Sequence, residues 1–316
     1  VLEGIREEAG DDVRILYSQG CDLYQDKVEN LAWDQDRISE AVITAENSDV
    51  VILCVGLNET LEGEEGDTGN SDASGDKVDL HLPKVQEELI EKVTAVGKPT
   101  IVVLMAGSAI DLNYAQDNCN GILLAWYPGA RGGRAIADLL FGKESPSGKL
   151  PVTFYKDLEG MPEFTDYSMK NRTYRYMEKE ALYPFGYGLT YSDTCVTEAE
   201  VVGEVSAESD IMLKATVKNN GTVDTDEVVQ VYIKDLDSPL AVRNYSLCGF
   251  KRVSLKAGEE KSVEFTISNK AMNIVDEDGN RYIAGKHFRL FAGVSQPDTR
   301  SAELTGHKPA EVEIAL

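Results

Sequence analysis

The sequence predicts two domains of different classes: an open, mostly parallel α/β sandwich followed by an all-β antiparallel sandwich. Three observations lead to this prediction. In the first half, apolar runs alternate with stretches of helical spacing, and in the second half apolar and polar residues alternate one by one. A segment rich in Tyr, Pro and Gly joins the two halves. We expect the α/β domain at residues 1–164, the aromatic interdomain segment at 165–191 and the β-sandwich at 192–316.

The α/β prediction depends on strands that are apolar on both faces, as expected of a parallel sheet covered by helices on both sides. Five runs have this character: Val13–Tyr17, Val50–Val55, Ile101–Met105, Ile122–Ala125 and Leu150–Phe154. Helical spacing is present through residues 38–45, from Pro83 to residue 93 and over Ala130–Phe141. Ligands of such sheets bind outside the carboxyl ends of the strands, so we expect function in the connections that follow them.

The second half has the period of strands that are buried on one face. Apolar residues alternate with polar ones through residues 213–217, 229–233, 263–267 and 288–292. Turn signals that contain Asn, Asp and Gly separate these runs. About seven short strands in about 120 residues predict an antiparallel sandwich of immunoglobulin or fibronectin type III-like architecture.

The composition excludes several kinds of partner. Asp and Glu number 55 and Lys and Arg 31, which gives a formal net charge of −24. A surface this acidic repels phosphate backbones and anionic headgroups, and no apolar run approaches the roughly 20 residues that span a bilayer, so we expect neither nucleic acid nor a membrane as partner. The sequence lacks metal-ligand spacing and a nucleotide-binding glycine motif, so no cofactor is predicted. Five scattered cysteines without a C-x-x-C pair favour a reducing compartment, and we expect a cytoplasmic location.

The longest predicted connection, Gly56 to His81, carries eight Asp or Glu residues. Loops of this length inside a compact domain are usually functional or disordered, and this one leaves the carboxyl end of a predicted strand. The residues alone leave two interpretations open, a solvated acidic loop and a functional site. A calcium-binding loop is disfavoured because the acidic residues from Asp67 to Asp76 lack the required ligand spacing.

Two motifs in this connection carry a family resemblance: Gly56-Leu-Asn-Glu-Thr-Leu-Glu-Gly-Glu-Glu-Gly-Asp67 and Ser74-Gly-Asp-Lys-Val-Asp-Leu-His-Leu-Pro83. They resemble the acid/base loop of glycoside hydrolase family 3, the β-glucosidase and β-xylosidase family. Further stretches agree with that family in order: Lys98–Ser108, Ala125–Gly129, Gly132–Gly142, Pro146–Phe154, Asp166–Lys170 and Arg172–Tyr176. The resemblance covers nearly the whole chain and ends with the fibronectin type III-like domain of this family.

The resemblance implies an enzyme with an upstream (β/α)8 barrel, and we expect this chain to hold only the two domains that follow it. It implies that the nucleophilic Asp belongs to the barrel, so we expect this chain alone to be inactive. Glu62 is the expected acid/base, with Glu64 and Glu65 as alternates because loop length varies in the family. The implied reaction is exo-acting, retaining hydrolysis of terminal β-D-glucosides, β-D-xylosides or oligosaccharides. Lys77 stands where relatives often have Arg, and Lys lacks the bidentate fork for a sugar contact.

Two other function classes were weighed against this one. A non-catalytic module that binds carbohydrate or protein would use a site away from the Gly56–His81 connection. A self-sufficient enzyme with both carboxylates on that connection is disfavoured, because one loop does not supply the rigid, opposed placement that retaining hydrolysis requires. We expect Trp126 and Tyr127 to pack as large aromatic side chains rather than to stack on a sugar.

Overall fold

The computed structural model describes residues 1–27, 29, 31–33, 35–63 and 77–316. These residues form two compact units. The α/β unit comprises residues 1–143 and 156–158, and the β unit comprises residues 144–155 and 159–316. The domain boundaries expected at residues 164 and 191 stay predictions.

Three parallel strands form the sheet of the α/β unit within the part of the chain that the structure describes. They are β1 (Val51–Gly56), β2 (Thr100–Met105) and β3 (Gly121–Leu124), with β2 in the centre. Five helices accompany them: α1 (Leu2–Ala9), α2 (Asp36–Glu46), α3 (Lys84–Thr94), α4 (Asn113–Asn118) and α5 (Gly132–Leu140). Because all three strands run in one direction, their carboxyl ends lie at the same edge of the sheet.

The central strand, β2, is largely buried. Val102, Val103 and Leu104 of β2 are fully buried. Helix α3 contacts β1 and buries Leu89 and Val93, two residues of its apolar face. Burial of these faces supplies the main stabilisation of the unit, at about 25 cal/mol for each Å² of apolar surface removed from water. The predicted α/β class is confirmed.

The predictions for two of the five strands in the first half are wrong. Within the described residues, Val13–Tyr17 pairs with no other strand, and both of its end residues are at least half exposed. Leu150–Phe154 contributes only Phe154 to a strand, β4 (Phe154–Tyr155), which pairs antiparallel with β5 (Ala181–Tyr183) in the β unit. Pro151 accounts for the shortening, because proline has no N–H to donate to a ladder.

The β unit contains the predicted sandwich of seven strands in two sheets. One sheet has the order β10-β7-β6, with β6 (Thr194–Val202), β7 (Ile211–Asn219) and β10 (Glu260–Ile267). The other has the order β14-β13-β8-β9, with β8 (Thr225–Asp235), β9 (Ser246–Leu255), β13 (His287–Gly293) and β14 (Ala310–Ala315). Smaller elements complete the unit: α6 (Thr173–Tyr176), a 3-10 helix (Asn269–Met272), β11 (Asn273–Val275), β12 (Arg281–Ile283) and α7 (Thr299–Thr305).

The alternating residues form the core between the two sheets. Leu213 and Val217 of β7, Val231 of β8, Phe265 of β10 and Leu290 of β13 belong to one buried cluster. Their neighbours in sequence point to the opposite faces of the sheets, as the period of two requires; most of those on β7 and β10 are partly or fully exposed, whereas Gln230 and Tyr232 of β8 are buried there as well. Within the described residues, no helix is long and apolar enough to cross a membrane.

Aromatic residues of the Tyr-rich segment pack inside the β unit. The rings of Tyr174 and Phe185 stack with their centroids 4.3 Å apart. Tyr174 also makes an edge contact with Tyr232 and a tilted ring contact with Tyr245, two buried residues of the β unit. The Tyr174 hydroxyl accepts a hydrogen bond from the Leu247 backbone N–H at 3.0 Å, so ring packing and polar contacts both fix the segment.

Within the β unit, a buried ion pair fastens residues 144–155 to strand β8. Lys149 Nζ lies 2.8 Å from Glu227 Oε1, and the two side chains are only 8% and 2% exposed. The ammonium also donates to the Gly188 carbonyl at 2.6 Å, and the carboxylate accepts from Thr194 and from the Val228 backbone N–H. Every charged group of the pair is therefore compensated, which burial of an ion pair requires.

We predict that Lys149→Met destabilises the β unit by about 3 kcal/mol, because it leaves the Glu227 carboxylate buried without its counter-charge. Urea unfolding followed by far-ultraviolet circular dichroism measures the change in the free energy of unfolding. Lys214→Met is the matched control, since Lys214 pairs with Glu200 at 3.3 Å on the surface of the same unit. An exposed pair contributes at most about 1 kcal/mol, so equal effects of the two variants would contradict the prediction.

Candidate active site

The connections that follow the three parallel strands meet around one carboxylate, that of Glu62. Glu62 follows β1, Gly107 and Ser108 follow β2, and Tyr127 follows β3. Because the carboxyl ends of parallel strands share one edge, residues far apart in sequence come together there. This is the edge at which the sequence places the acidic connection.

A tight turn after β1 sets the position of Glu62. The Asn58 carbonyl accepts hydrogen bonds from the backbone N–H groups of Leu61 and Glu62, at 3.0 and 2.9 Å. The Asn58 side-chain oxygen accepts from the Thr60 backbone N–H and hydroxyl, at 3.0 and 2.7 Å. An Asn side chain that bonds its own following backbone in this way stabilises a local turn. The carboxylate of Glu62 is therefore presented by an ordered stretch of chain.

Hydrogen bonds from α3 and a close backbone contact with β2 both fix the end of β1. The buried Gln86 side chain of α3 accepts from the Gly56 N–H at 2.7 Å and donates to the Gly56 carbonyl at 2.8 Å. Gly56 has a φ of 149°, and a Cβ there would lie 1.9 Å from the Met105 carbonyl oxygen of the neighbouring strand. Only glycine fits this close approach between β1 and β2.

Three donors bind the Glu62 carboxylate. The Gly107 backbone N–H donates to Oε2 at 2.7 Å, the Tyr127 hydroxyl donates to the same oxygen, and the Ser108 hydroxyl donates to Oε1. Both carboxylate oxygens are thus engaged by groups of the same unit. Hydrogen bonds to a charged acceptor contribute about 1.5–3 kcal/mol each before solvent exposure reduces them.

Gly107 has no room for a side chain in this arrangement. A Cβ at Gly107 would lie 2.8 Å from Tyr127 Cε2 and 3.2 Å from Glu62 Oε2. Trp126, the residue before Tyr127, has a φ of 51°, a conformation that L residues rarely adopt. Backbone strain of this kind persists only where the surroundings enforce it, and here it accompanies the placement of the Tyr127 hydroxyl.

The chain after residues 64–76, which lie outside the described residues, also contacts the connection that follows β2. Lys77 Nζ donates to the Ala109 carbonyl at 2.8 Å, and the Asp111 N–H donates to the Leu80 carbonyl at 2.6 Å. The connection after β2 therefore contacts chain on both sides of residues 64–76.

Hydrogen bonding keeps Glu62 ionised. Burial is the largest single influence on the pKa of its carboxyl group and raises that pKa. The three hydrogen bonds and the positive charge of Lys77 act in the opposite direction and outweigh burial, so the pKa lies below its ordinary value of 4.5. Burial and the hydrogen bond to Glu62 both raise the pKa of the Tyr127 phenol, which stays a donor.

The structure places one of the three expected acid/base candidates and adds residues that were missed. Glu62 lies in the cluster, while Glu64 and Glu65 lie outside the described residues. Tyr127 is 50% exposed and serves as a hydrogen-bond donor, a role that the expectation of simple packing did not include. Ser108 and Tyr127 lie in the Lys98–Ser108 and Ala125–Gly129 stretches, so the family resemblance was the signal that could have found them. Among the described residues, no group of three His, Cys, Asp or Glu side chains could hold a metal ion.

Both halves of the chain match known domain families. Residues 1–191 match the glycosyl hydrolase family 3 C-terminal domain, and residues 227–296 match the fibronectin type III-like domain. The chain belongs to glycosyl hydrolase family 3.

Similar proteins agree with this assignment. A beta-xylosidase of Formosa agariphila is 34% identical over 313 residues, which cover 96% of this chain and 41% of that protein. A xylan 1,4-beta-xylosidase of Xylanibacter ruminicola is 39% identical over 270 residues, which cover 84% of this chain and 31% of that protein. The structure of a β-glucosidase from Erythrobacter marinus superposes with a TM-score of 0.82 at 32% identity and covers 100% of this chain and 43% of that one. The chain thus spans less than half the length of these relatives.

We predict that Glu62→Gln lowers the stability of the α/β unit at neutral pH by about 1 kcal/mol, because an amide accepts weaker hydrogen bonds than a carboxylate. Since the folded-state pKa of Glu62 is lowered, this contribution is present above the ordinary pKa of 4.5 and is lost as the pH falls through the folded-state value. The difference between wild type and variant should therefore shrink below about pH 4.5.

Urea unfolding followed by tryptophan fluorescence measures this difference, because both tryptophans, Trp33 and Trp126, lie in the α/β unit. Glu91→Gln, which removes the same charge from an exposed position of α3, is the control. A difference for Glu62→Gln that is independent of pH would show that the carboxylate charge is not what the three donors stabilise.

Proposed function

We propose that this chain is the C-terminal part of an exo-acting, retaining β-glycosidase, a β-glucosidase or β-xylosidase that removes terminal non-reducing β-D-sugars. The observation that carries the proposal is the hydrogen-bonded Glu62 carboxylate at the carboxyl edge of the sheet, at the start of the acidic connection, in a family 3 chain. The names of the xylosidase and glucosidase relatives support the substrate class.

The chemistry needs a second carboxyl group. In a retaining glycosidase, one carboxylate attacks the anomeric carbon while a carboxylic acid about 5–5.5 Å away protonates the leaving oxygen. The proton donor, now a carboxylate, then takes a proton from the water that hydrolyses the glycosyl-enzyme ester. We propose that the nucleophilic Asp comes from an upstream (β/α)8 barrel and that this chain supplies the proton donor.

We place the proton donor among Glu62, Glu64 and Glu65. The family resemblance puts Glu62 first. All three residues stand within four positions of each other. Each of them can act on a substrate at this edge of the sheet only if the connection after β1 is held in place. The contacts of Asn58 and Glu62 supply such a hold at its start.

We expect hydrolysis of p-nitrophenyl β-glucoside or β-xyloside by this chain joined to its native upstream sequence, and none by this chain alone. In the longer protein, Gln at the acid/base position should slow cleavage of poorly activated glycosides by about 100-fold or more. An activated aryl glycoside needs no proton for departure, and azide then attacks the glycosyl-enzyme without base assistance. Azide should therefore restore turnover and give a glycosyl azide.

Glu59→Gln in the same connection is the matched control and should keep near wild-type rates, because Glu59 is exposed. Wild-type rates in all three Gln variants would contradict the assignment of the acid/base to this chain. Glycan binding by this chain at a site away from residues 56–81, without hydrolysis by the longer protein, would indicate a binding module instead.

A further inference from the structure

Residues 159–172 of the β unit form an irregular segment that leaves two aromatic rings in solvent. Phe164 is 86% exposed and Tyr167 is 84% exposed. Among the large apolar side chains described in the β unit, the next most exposed is Phe250, at 67%. Single exposed apolar side chains are common on protein surfaces, so exposure alone assigns no role.

The backbone of this segment is held in conformations that most L residues avoid. Met169, Asn171 and Thr173, at and next to its end, have φ values of 62°, 57° and 56°. The left-handed region is least favourable for a β-branched residue such as Thr173. Strain of this kind is retained only where the surroundings enforce it, and it is concentrated at functional sites.

The guanidinium of Arg172 fixes the turns that carry both rings. Its Nη2 donates to the carbonyls of Pro162, Glu163 and Asp166, at 3.2, 2.7 and 3.3 Å. The Glu163 and Asp166 carbonyls belong to the peptide bonds that directly precede the two aromatic residues. One side chain therefore fixes the backbone at both positions.

The chain after the segment is tied to the rest of the β unit. The Tyr155 hydroxyl of β4 accepts from the Thr173 backbone N–H at 2.8 Å. The Asn244 side chain donates to the carbonyls of Tyr174 and Met177, at 2.8 and 2.9 Å. The two exposed rings are thus presented from a backbone that is fixed at both ends.

A fixed pair of exposed rings suits contact with another protein surface. Aromatic side chains are enriched at protein interfaces and contribute much of their binding energy. A backbone that is already ordered also loses less entropy when the contact forms. Small ligands bind in concave sites that enclose most of their surface, and rings this exposed are unsuited to such a site.

Resting on the proposed function for the identity of the partner, we propose that Phe164 and Tyr167 dock the β unit on the upstream part of the longer protein. The length of the relatives supports this occupant. The chain covers only 31% to 43% of the three relatives compared above, so more than half of each of those proteins lies outside the match. A part that is joined through the same polypeptide stays at high local concentration, so a small contact is sufficient to hold it.

Hydroxyl-radical footprinting read by mass spectrometry tests this contact, because the oxidation rate of a side chain follows its exposure. The rates of Phe164 and Tyr167 should fall several-fold when this chain is joined to its native upstream sequence, relative to this chain alone. Phe250 on β9 of the same unit is the control and should keep its rate. Unchanged rates for the two rings, or an equal fall at Phe250, would overturn the proposal.

Variants of the longer protein test whether the two rings act together. Phe164→Ser should raise the oxidation rate of Tyr167 several-fold, towards its value in this chain alone, because one ring holds the contact less well than two. Arg172→Met should raise the rates of both rings, since it removes the donor that fixes their backbone. Phe250→Ser is the matched control and should change neither rate. Protection of Tyr167 that survives both Phe164→Ser and Arg172→Met would contradict the proposal.

Other occupants of the two rings would give different results. Protection in this chain alone that grows with its concentration, in place of protection in the longer protein, would identify a second copy of the chain. Protection of this chain only when xylo- or cello-oligosaccharides are added would identify carbohydrate. Either result would overturn the proposal.

These measurements are independent of hydrolysis, so they separate the docking contact from the proposed function. Protected rings in a longer protein that cleaves no glycoside would support the docking contact and contradict the proposed function alone. Unprotected rings in a longer protein that is an active glycosidase would overturn the docking contact alone.

Discussion

The interaction on which the α/β unit's functional edge depends is the set of hydrogen bonds to the Glu62 carboxylate. A partly buried carboxylate is stable only when donors replace the water that it loses. Here the donors come from the connections after β2 and β3, so one charged group ties together the ends of all three parallel strands. The lack of a side chain at Gly107 and the strained backbone of Trp126 both serve this arrangement.

The periodicity of the sequence was sufficient for most of the fold. Strands β1, β2 and β3 and helices α2, α3 and α5 appear where the apolar spacing predicts them, and all of them except β3, whose residues are half-buried, bury apolar residues of that spacing. The prediction for Val13–Tyr17 failed because apolar content alone does not specify a strand, which also needs a neighbouring backbone to pair with. The β-sandwich was the clearer case, since alternation over several runs leaves one possible buried face.

The site was harder to predict than the fold. The sequence singled out the acidic connection and Glu62, because clustered carboxylates after a predicted strand are visible in one dimension. Ser108 and Tyr127 lie 46 and 65 positions away from Glu62, and nothing in their local sequence indicates a shared acceptor. The same limit applies to Lys149, whose buried partner Glu227 lies in the sandwich. Contacts of this kind follow from topology rather than from local pattern.

The surroundings of Glu62, rather than its side-chain type, decide which task its carboxyl group suits. A carboxyl group that donates a proton near neutral pH needs its pKa raised, which desolvation or a second carboxylate nearby can achieve. Glu62 lies under the opposite influence, since three donors and a cation favour its charged form. A group of this kind is effective as a fixed point for the chain.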